Sequence, residues 1–181
     1  MSQNIQDFYR VATARDFARK FQFRVMQLGN TNFNENALVY LDSASLPGRQ
    51  ITNQQVPFMG LNFNVPGTVT YPNSNNYSVT FRCDQNYDIR SVLEASTFGV
   101  FNELGTEGQP GSFGDYRIPD ASSIITLDLL DKSLKAVRRY TLVGAYVVSV
   151  GEMQYTLGDT GTVQTVQTNL AYQYWQVESV V

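Results

Sequence analysis

In FQFRV (21–25), LNFNV (61–65), YSVTFRC (77–83) and ITLDLL (125–130), apolar and polar side chains alternate. Only an extended chain turns that spacing into one apolar face; a helix would scatter it around its axis. These runs predict half-buried strands, with Phe21, Phe23 and Val25 on one side and Gln22 and Arg24 on the other. ALVYL (37–41) predicts a short strand. AVRRYTLVGAYVVSV (136–150) predicts one long strand, returning from ITLDLL through a turn at Asp131-Lys132-Ser133.

Two segments carry helical spacing instead. Residues 3–14 place Ile5, Phe8 and Val11/Ala12 on one stripe, which predicts a short N-terminal helix. Residues 88–104 place Ile89, Val92/Leu93, Val100/Phe101 and Leu104 on another, with Asp88 as N-cap and Gly105 as the stop. The glycines at 105, 108, 111 and 114 make too few triplets for a collagen-like helix and read as a flexible loop. A chain of 181 residues suits one domain, here 1–181, burying roughly 70% of its unfolded surface.

The last strand, within TVQTVQTNLAYQYWQV (162–177), is apolar on both sides. Leu170, Tyr172 and Tyr174 face one way; Ala171, Trp175 and Val177 face the other. It needs two surfaces to bury against, either a second sheet of the same chain or another subunit.

Only 16% of residues are charged, against 43% hydrophobic, so much of the surface is amide, hydroxyl and tyrosine, which suits contacts with protein. The net charge of −3 disfavours a sequence-independent nucleic-acid binder, which needs a basic footprint. Lys132, Lys135, Arg138 and Arg139 are the one basic run, and they sit on a hairpin beside Asp128 and Asp131, where pairing across the strands is expected. No stretch has the apolar length of a signal peptide or a membrane span, so folding in a cytoplasm is expected. The Asn76-Tyr77-Ser78 sequon then has no use.

The chain has no histidine and one cysteine, Cys83. That removes the commonest general base, zinc ligand and nucleophilic pairings, and Cys83 reads as a small buried hydrophobe. Phosphate-binding glycine loops are absent. The carboxylate pairs Asp84/Asp88 and Asp128/Asp131 read as caps and solvated faces. No enzyme, cofactor or metal is expected.

ASLPGRQITNQQVPFMGLNFNVPG (44–67) is therefore the segment to explain. Two Pro-Gly pairs, Pro47-Gly48 and Pro66-Gly67, bracket a predicted long hairpin over 49–56 and 60–66. Val56-Pro57-Phe58-Met59-Gly60 falls at its tip. Pro57 removes a ladder donor and discourages growth of the sheet, while Phe58 and Met59 offer an apolar anchor to a neighbouring surface.

RDFARKFQFRV (15–25), ASLPGRQI (44–51), VPFMGLNFNVPG (56–67), YSVTFRCDQNYDIR (77–90) and AYQYW (171–175), in that order, resemble the tail tube proteins of contractile-tailed bacteriophages. The Gly-rich 105–119 segment and the Asn-rich turn at 72–76 depart from that pattern as local elaborations. The resemblance implies a mainly β (α+β) fold: an antiparallel β-sandwich or barrel-like core with one flanking helix. Six copies would join their sheets into a ring barrel, and rings would stack into a hollow tube in the virion tail, assembled in the host cytoplasm. It implies self-association, with the tail sheath protein, baseplate tube initiator, tape measure protein and tail terminator as further partners, and phage DNA passing through the lumen without specific binding.

Carried onto this chain, the contacts between subunits and rings would use Pro47, Gly48, Val56, Pro57, Phe58, Met59, Gly60, Pro66, Gly67, Tyr172, Tyr174 and Trp175. Alternation marks Thr126 and Asp128 as lumen-facing. A baseplate tube-initiator of the same fold, a secretion-system tube protein, and a β-sandwich glycan-binding module using Trp175 and the many Tyr and Asn residues are the competing readings.

Overall fold

The computed structural model describes residues 4–31, 33, 37–101, 119, 121–158 and 161–180. Ten strands and two helices follow in the order α1 (Ile5–Arg15), β1 (Phe23–Gly29), a 3-10 turn (Ala37–Tyr40), β2 (Leu41–Ala44), β3 (Gln50–Phe58), β4 (Leu61–Thr70), β5 (Tyr77–Arg82), α2 (Asp88–Val100), β6 (Ile124–Leu130), β7 (Ala136–Val143), β8 (Tyr146–Val150), β9 (Thr165–Ala171) and β10 (Tyr174–Ser179). They form two four-stranded antiparallel sheets, β1-β6-β7-β10 and β2-β5-β9-β8, and a separate two-stranded ribbon, β3-β4.

The core lies between the sheets. The first contributes Val25, Leu28, Ile125, Leu127 and Leu142, and the second Val79, Phe81, Val147, Val166 and Leu170. Helix α2 adds Ile89 and Leu93 and packs beside β8, where Arg90 Nη1 donates to Gly151 O at 3.2 Å. Its N-cap is Tyr87, in the left-handed region at φ 59°, rather than Asp88. The capping acceptor is the Asp84 carboxylate, which takes the N–H groups of Asp88 and Ile89, each at 3.2 Å. The described helix stops at Val100; the expected remainder to 104, Gly105 and the glycine repeat at 105, 108, 111 and 114 lie outside the described residues.

Four strand expectations change, three of them along β1, residues 37–41 and the segment 136–150, and the fourth at the C-terminal corner. Strand β1 begins at Phe23, two residues late: Phe21 is exposed and Gln22 buried, because Gln22 Oε1 accepts from Arg19 N and so closes a turn. A bulge at Met26 then resets the alternation so that Leu28 follows Val25 into the core. Residues 37–40 coil into the 3-10 turn, and pairing starts at Leu41. The long strand 136–150 breaks at Gly144-Ala145, with β7 in one sheet and β8 in the other.

Gly144 makes that break possible. Its φ is +68°, and a Cβ there would stand 2.8 Å from Gln173 Cγ. Alongside it, β9 passes to β10 at Tyr172-Gln173, where Gln173 N donates to Val143 O at 2.9 Å. The segment 162–177, read as one strand apolar on both sides, is therefore two strands, β9 and β10, meeting at a corner. Leu170, Ala171 and Tyr172 are buried, and beyond the corner it is Trp175 that packs against the core.

A charged row runs across the outer side of the first sheet, where Arg24, Asp128, Arg139 and Glu178 are successive register partners. Asp128 is fully buried, with Arg139 Nε at 2.7 Å and Arg24 Nη2 at 2.9 Å. The hydrogen bond from Arg139 is the largest influence on its pKa; with help from Arg24 it outweighs burial and holds the carboxyl below its usual range. Of the expected basic–acidic pairing on this hairpin, Arg139–Asp128 forms. Asp131 instead accepts the backbone N–H groups of Ser133 and Lys135 and builds the turn.

Two predictions follow from these contacts. Gly144→Val places a β-branched residue in the left-handed region against Gln173, and should cost about 2–3 kcal/mol in denaturant unfolding. Asp128→Asn should cost about 2–3 kcal/mol near neutral pH, less than for a fully buried pair because both arginines keep contact with water. Since folding lowers this carboxyl's pKa, its contribution is complete above the ordinary value and lost as pH falls through the folded value. The difference between parent and variant should hold from about pH 7 to about pH 5 and shrink below about pH 4 in urea titrations.

Candidate assembly interface

The β3-β4 ribbon stands apart from both sheets, and every residue of its two strands is exposed. At a strand rise of about 3.3 Å per residue it reaches roughly 30 Å. Its register pairs Phe58 with Leu61, Val56 with Phe63 and Gln54 with Val65 on one face. On the other it pairs Pro57 with Asn62, Gln55 with Asn64 and Asn53 with Pro66. One face is thus an apolar stripe of Val56, Phe58, Leu61, Phe63 and Val65, with the Phe58 and Phe63 rings 6.4 Å apart; the other is a row of amides and prolines. No charged residue occurs between Gln50 and Thr70.

The tip turn has positive φ at both central residues, Met59 at 49° and Gly60 at 80°, the geometry that matches strand twist in a two-residue hairpin. Gly60 adopts it freely. Met59 does so at a cost of about 1–2 kcal/mol, where Asn would be cheaper, and its side chain is 87% exposed. A strained, exposed methionine beside an exposed phenylalanine has no stabilising role inside one chain. Near the root, Gly67 serves the bulge: a Cβ there would come within 2.9 Å of Thr52 O.

The ribbon is mounted on the sandwich by aromatic side chains. Trp175 Nε1 donates to Gly48 O at 2.9 Å, and its ring lies between Tyr71 and Tyr140, with centroids 6.4 and 5.6 Å away. Tyr77 Oη donates to Ser45 O at 2.5 Å, while Tyr172 meets the Tyr77 ring edge-on. Burial, then the neighbouring Tyr172, push the Tyr77 pKa well up, so this donor stays protonated.

The structure therefore divides the sequence-predicted contact residues. Val56, Pro57, Phe58, Met59, Gly60, Pro66 and Gly67 lie together on the exposed ribbon, and Tyr174 is 41% exposed on β10. Pro47, Gly48 and Trp175 form the root, and Tyr172 is buried in the core, where it is not offered to a neighbour. Leu61, Phe63 and Val65 complete the exposed stripe; their alternation reads equally as a strand facing its own core, and the uncharged run from 50 to 70 is what sets them apart in the sequence. Thr126 and Asp128 do stand on the outward side of β6, but Asp128 lies beneath two guanidiniums and Thr126 is 8% exposed. What that row presents to solvent is Arg24, Arg139 and Glu178.

No cluster of three metal-ligating side chains occurs among the described residues. Cys83 is half-buried against the core; burial, then the Asp84 carboxylate, raise its pKa, leaving a protonated, inert thiol. Among the described residues, no helix is long and apolar enough to cross a membrane.

The comparisons with known proteins agree on a family. A family model described as "Phage tail tube protein" matches residues 6–178. "Tail tube protein gp19" of Enterobacteria phage T4 is 25% identical over 177 residues, covering 95% of this chain and 99% of that protein; its namesake from Enterobacteria phage T6 is 24% identical with the same coverage. Among solved structures, the tube-terminating cap of the anti-feeding prophage has a TM-score of 0.62 at 12% identity, over 93% of this chain and 98% of that one. A chain of the PVC sheath–tube complex, an extracellular contractile injection system in the extended state, has a TM-score of 0.53 at 10% identity, over 94% and 97%. These likenesses show a shared fold. With the family match running from the first helix to the last strand, the chain belongs to the phage tail tube protein family.

Proposed function

We propose that this chain builds the tail tube itself, assembling into hexameric rings that stack into a hollow conduit through which the phage genome leaves the virion. The observation that carries this is the ribbon: five apolar side chains on one face, uncharged throughout, anchored at its root by Trp175 and Tyr77 and exposed in the single chain. Burying such side chains contributes roughly 1.5–3 kcal/mol each, offset by the ordering and rigid-body costs of association.

The first sheet supports ring closure. Among the described residues β1 pairs only with β6 and β10 only with β7, so both its edges are open, and the strand directions alternate. A second copy meeting edge to edge would continue the antiparallel order and remove both edges. In that arrangement the polar outer side of the sheet lines the channel, with Asp128 beneath Arg24 and Arg139. The chain's net charge of −3 disfavours strong DNA binding, which suits transient passage. Assembly belongs to the host cytoplasm and the product to the virion tail; a sheath, a baseplate initiator, a tape measure protein and a terminator complete the set of partners. The role is that of a scaffold without catalysis.

Negative-stain electron microscopy across a concentration series tests this. The parent chain should give long hollow tubes. Phe58→Asp combined with Met59→Asp should leave the circular-dichroism spectrum and melting temperature nearly unchanged and abolish tubes. Tubes of parental length from the double variant would remove the ribbon tip from the assembly.

A further inference from the structure

A second exposed apolar feature lies beside β1. Between β1 and the start of β2 the sandwich does not close, and a cleft of ≈ 530 Å³ opens there. Its apolar lining comes from Phe21, Phe23, Val25, Met26, Val39 and Leu41. Phe21 is 71% exposed and Val39 79%.

We infer that this cleft receives the apolar face of the β3-β4 ribbon from a second copy of the chain, an inference that rests on the self-assembly reading above. Charge is the first argument. Two charged residues line the cleft, and each is already paired within its own chain: Arg24 with Asp128 at 2.9 Å and Asp42 with Arg82 at 2.7 Å. An uncharged ribbon can enter without stranding either, whereas a charged segment would leave its own charge desolvated and unpaired.

Topology is the second argument. One of the ribbon's two anchors, Gly48, is held by Trp175 of β10, and the cleft borders β1; β10 and β1 are the two opposite edges of the first sheet. Donor and acceptor on opposite edges give a heterologous contact, which repeats from copy to copy and builds rings or filaments rather than closing as a two-fold dimer. Chemistry is the third: Phe58, Leu61 and Phe63 meet phenylalanines and a methionine that repack around inserted rings.

Disulfide trapping tests the contact. In a Cys83→Ser background, Leu61→Cys combined with Val39→Cys places one thiol on the ribbon face and one in the cleft, both at positions so exposed that folding is unaffected. A control pairs Leu61→Cys with Val148→Cys, exposed on β8. After mild oxidation of assembled material, the cleft pair should give a ladder of covalent multimers on a non-reducing gel, and the control should not. Tubes that form normally but cross-link equally in both variants, or in neither, overturn the cleft as receiver and leave the tube reading standing. If the Cys83→Ser parent forms no assemblies at any concentration, the tube reading falls and the inference with it.

Discussion

Two neighbouring strands change sheets at the same corner, one at Gly144-Ala145 and the other at Tyr172-Gln173, tied by the bond from Gln173 N to Val143 O. The rest of the molecule depends on this crossing. It turns a single meander into two sheets facing each other, so that Val25, Leu28 and Leu142 meet Phe81, Val147 and Leu170. It also leaves β1 and β10 as the outer strands of the first sheet. A glycine with positive φ is needed because Gln173 already fills the space any Cβ would take.

From that corner, the mount of the ribbon follows. Immediately after the crossing, Trp175 turns inward, packs between Tyr71 and Tyr140, and holds Gly48 O with its indole N–H. Tyr172, just before it, supports Tyr77, which holds Ser45 O. The chain's C-terminal strands therefore fix the direction in which a ribbon rooted some 125 residues earlier leaves the body, the Trp175–Gly48 separation being 127. Anchoring the root matters to an assembly protein because an arm ordered beforehand loses less entropy on docking.

The ribbon inverts the usual economy of a small domain. Strands with an apolar face ordinarily turn it inward, and an isolated two-stranded hairpin is marginal in water. Here Val56, Phe58, Leu61, Phe63 and Val65 touch one another across the ribbon but stay exposed to water, and Met59 accepts a backbone conformation that disfavours it. These features make physical sense for a chain whose working state is polymeric. The Arg24–Asp128–Arg139 bridge serves the complementary end, stitching three strands together beside the open edge of β1.

Much of this was legible in the chain alone. Alternation located β4, β5 and β6, helical spacing located α1 and α2, the Pro-Gly pairs bracketed the hairpin, and a run of ordered segments carried the family. Local pattern determines which residues are able to share a face, because strand and helix periods are properties of the backbone. It does not determine where a strand stops being one strand. The corner at Gly144, the bulge at Met26 and the shift of the helix cap from Asp88 to Asp84 each depend on atoms distant in sequence or on a single turn's geometry. Nor does alternation say whether a face meets its own core or another molecule. Leu61, Phe63 and Val65 have the spacing of Tyr77, Val79 and Phe81, yet the first three are exposed and the second three buried. Only the tertiary structure decided that difference, because burial depends on what the rest of the chain places opposite a strand, and opposite this ribbon none of the described residues is packed.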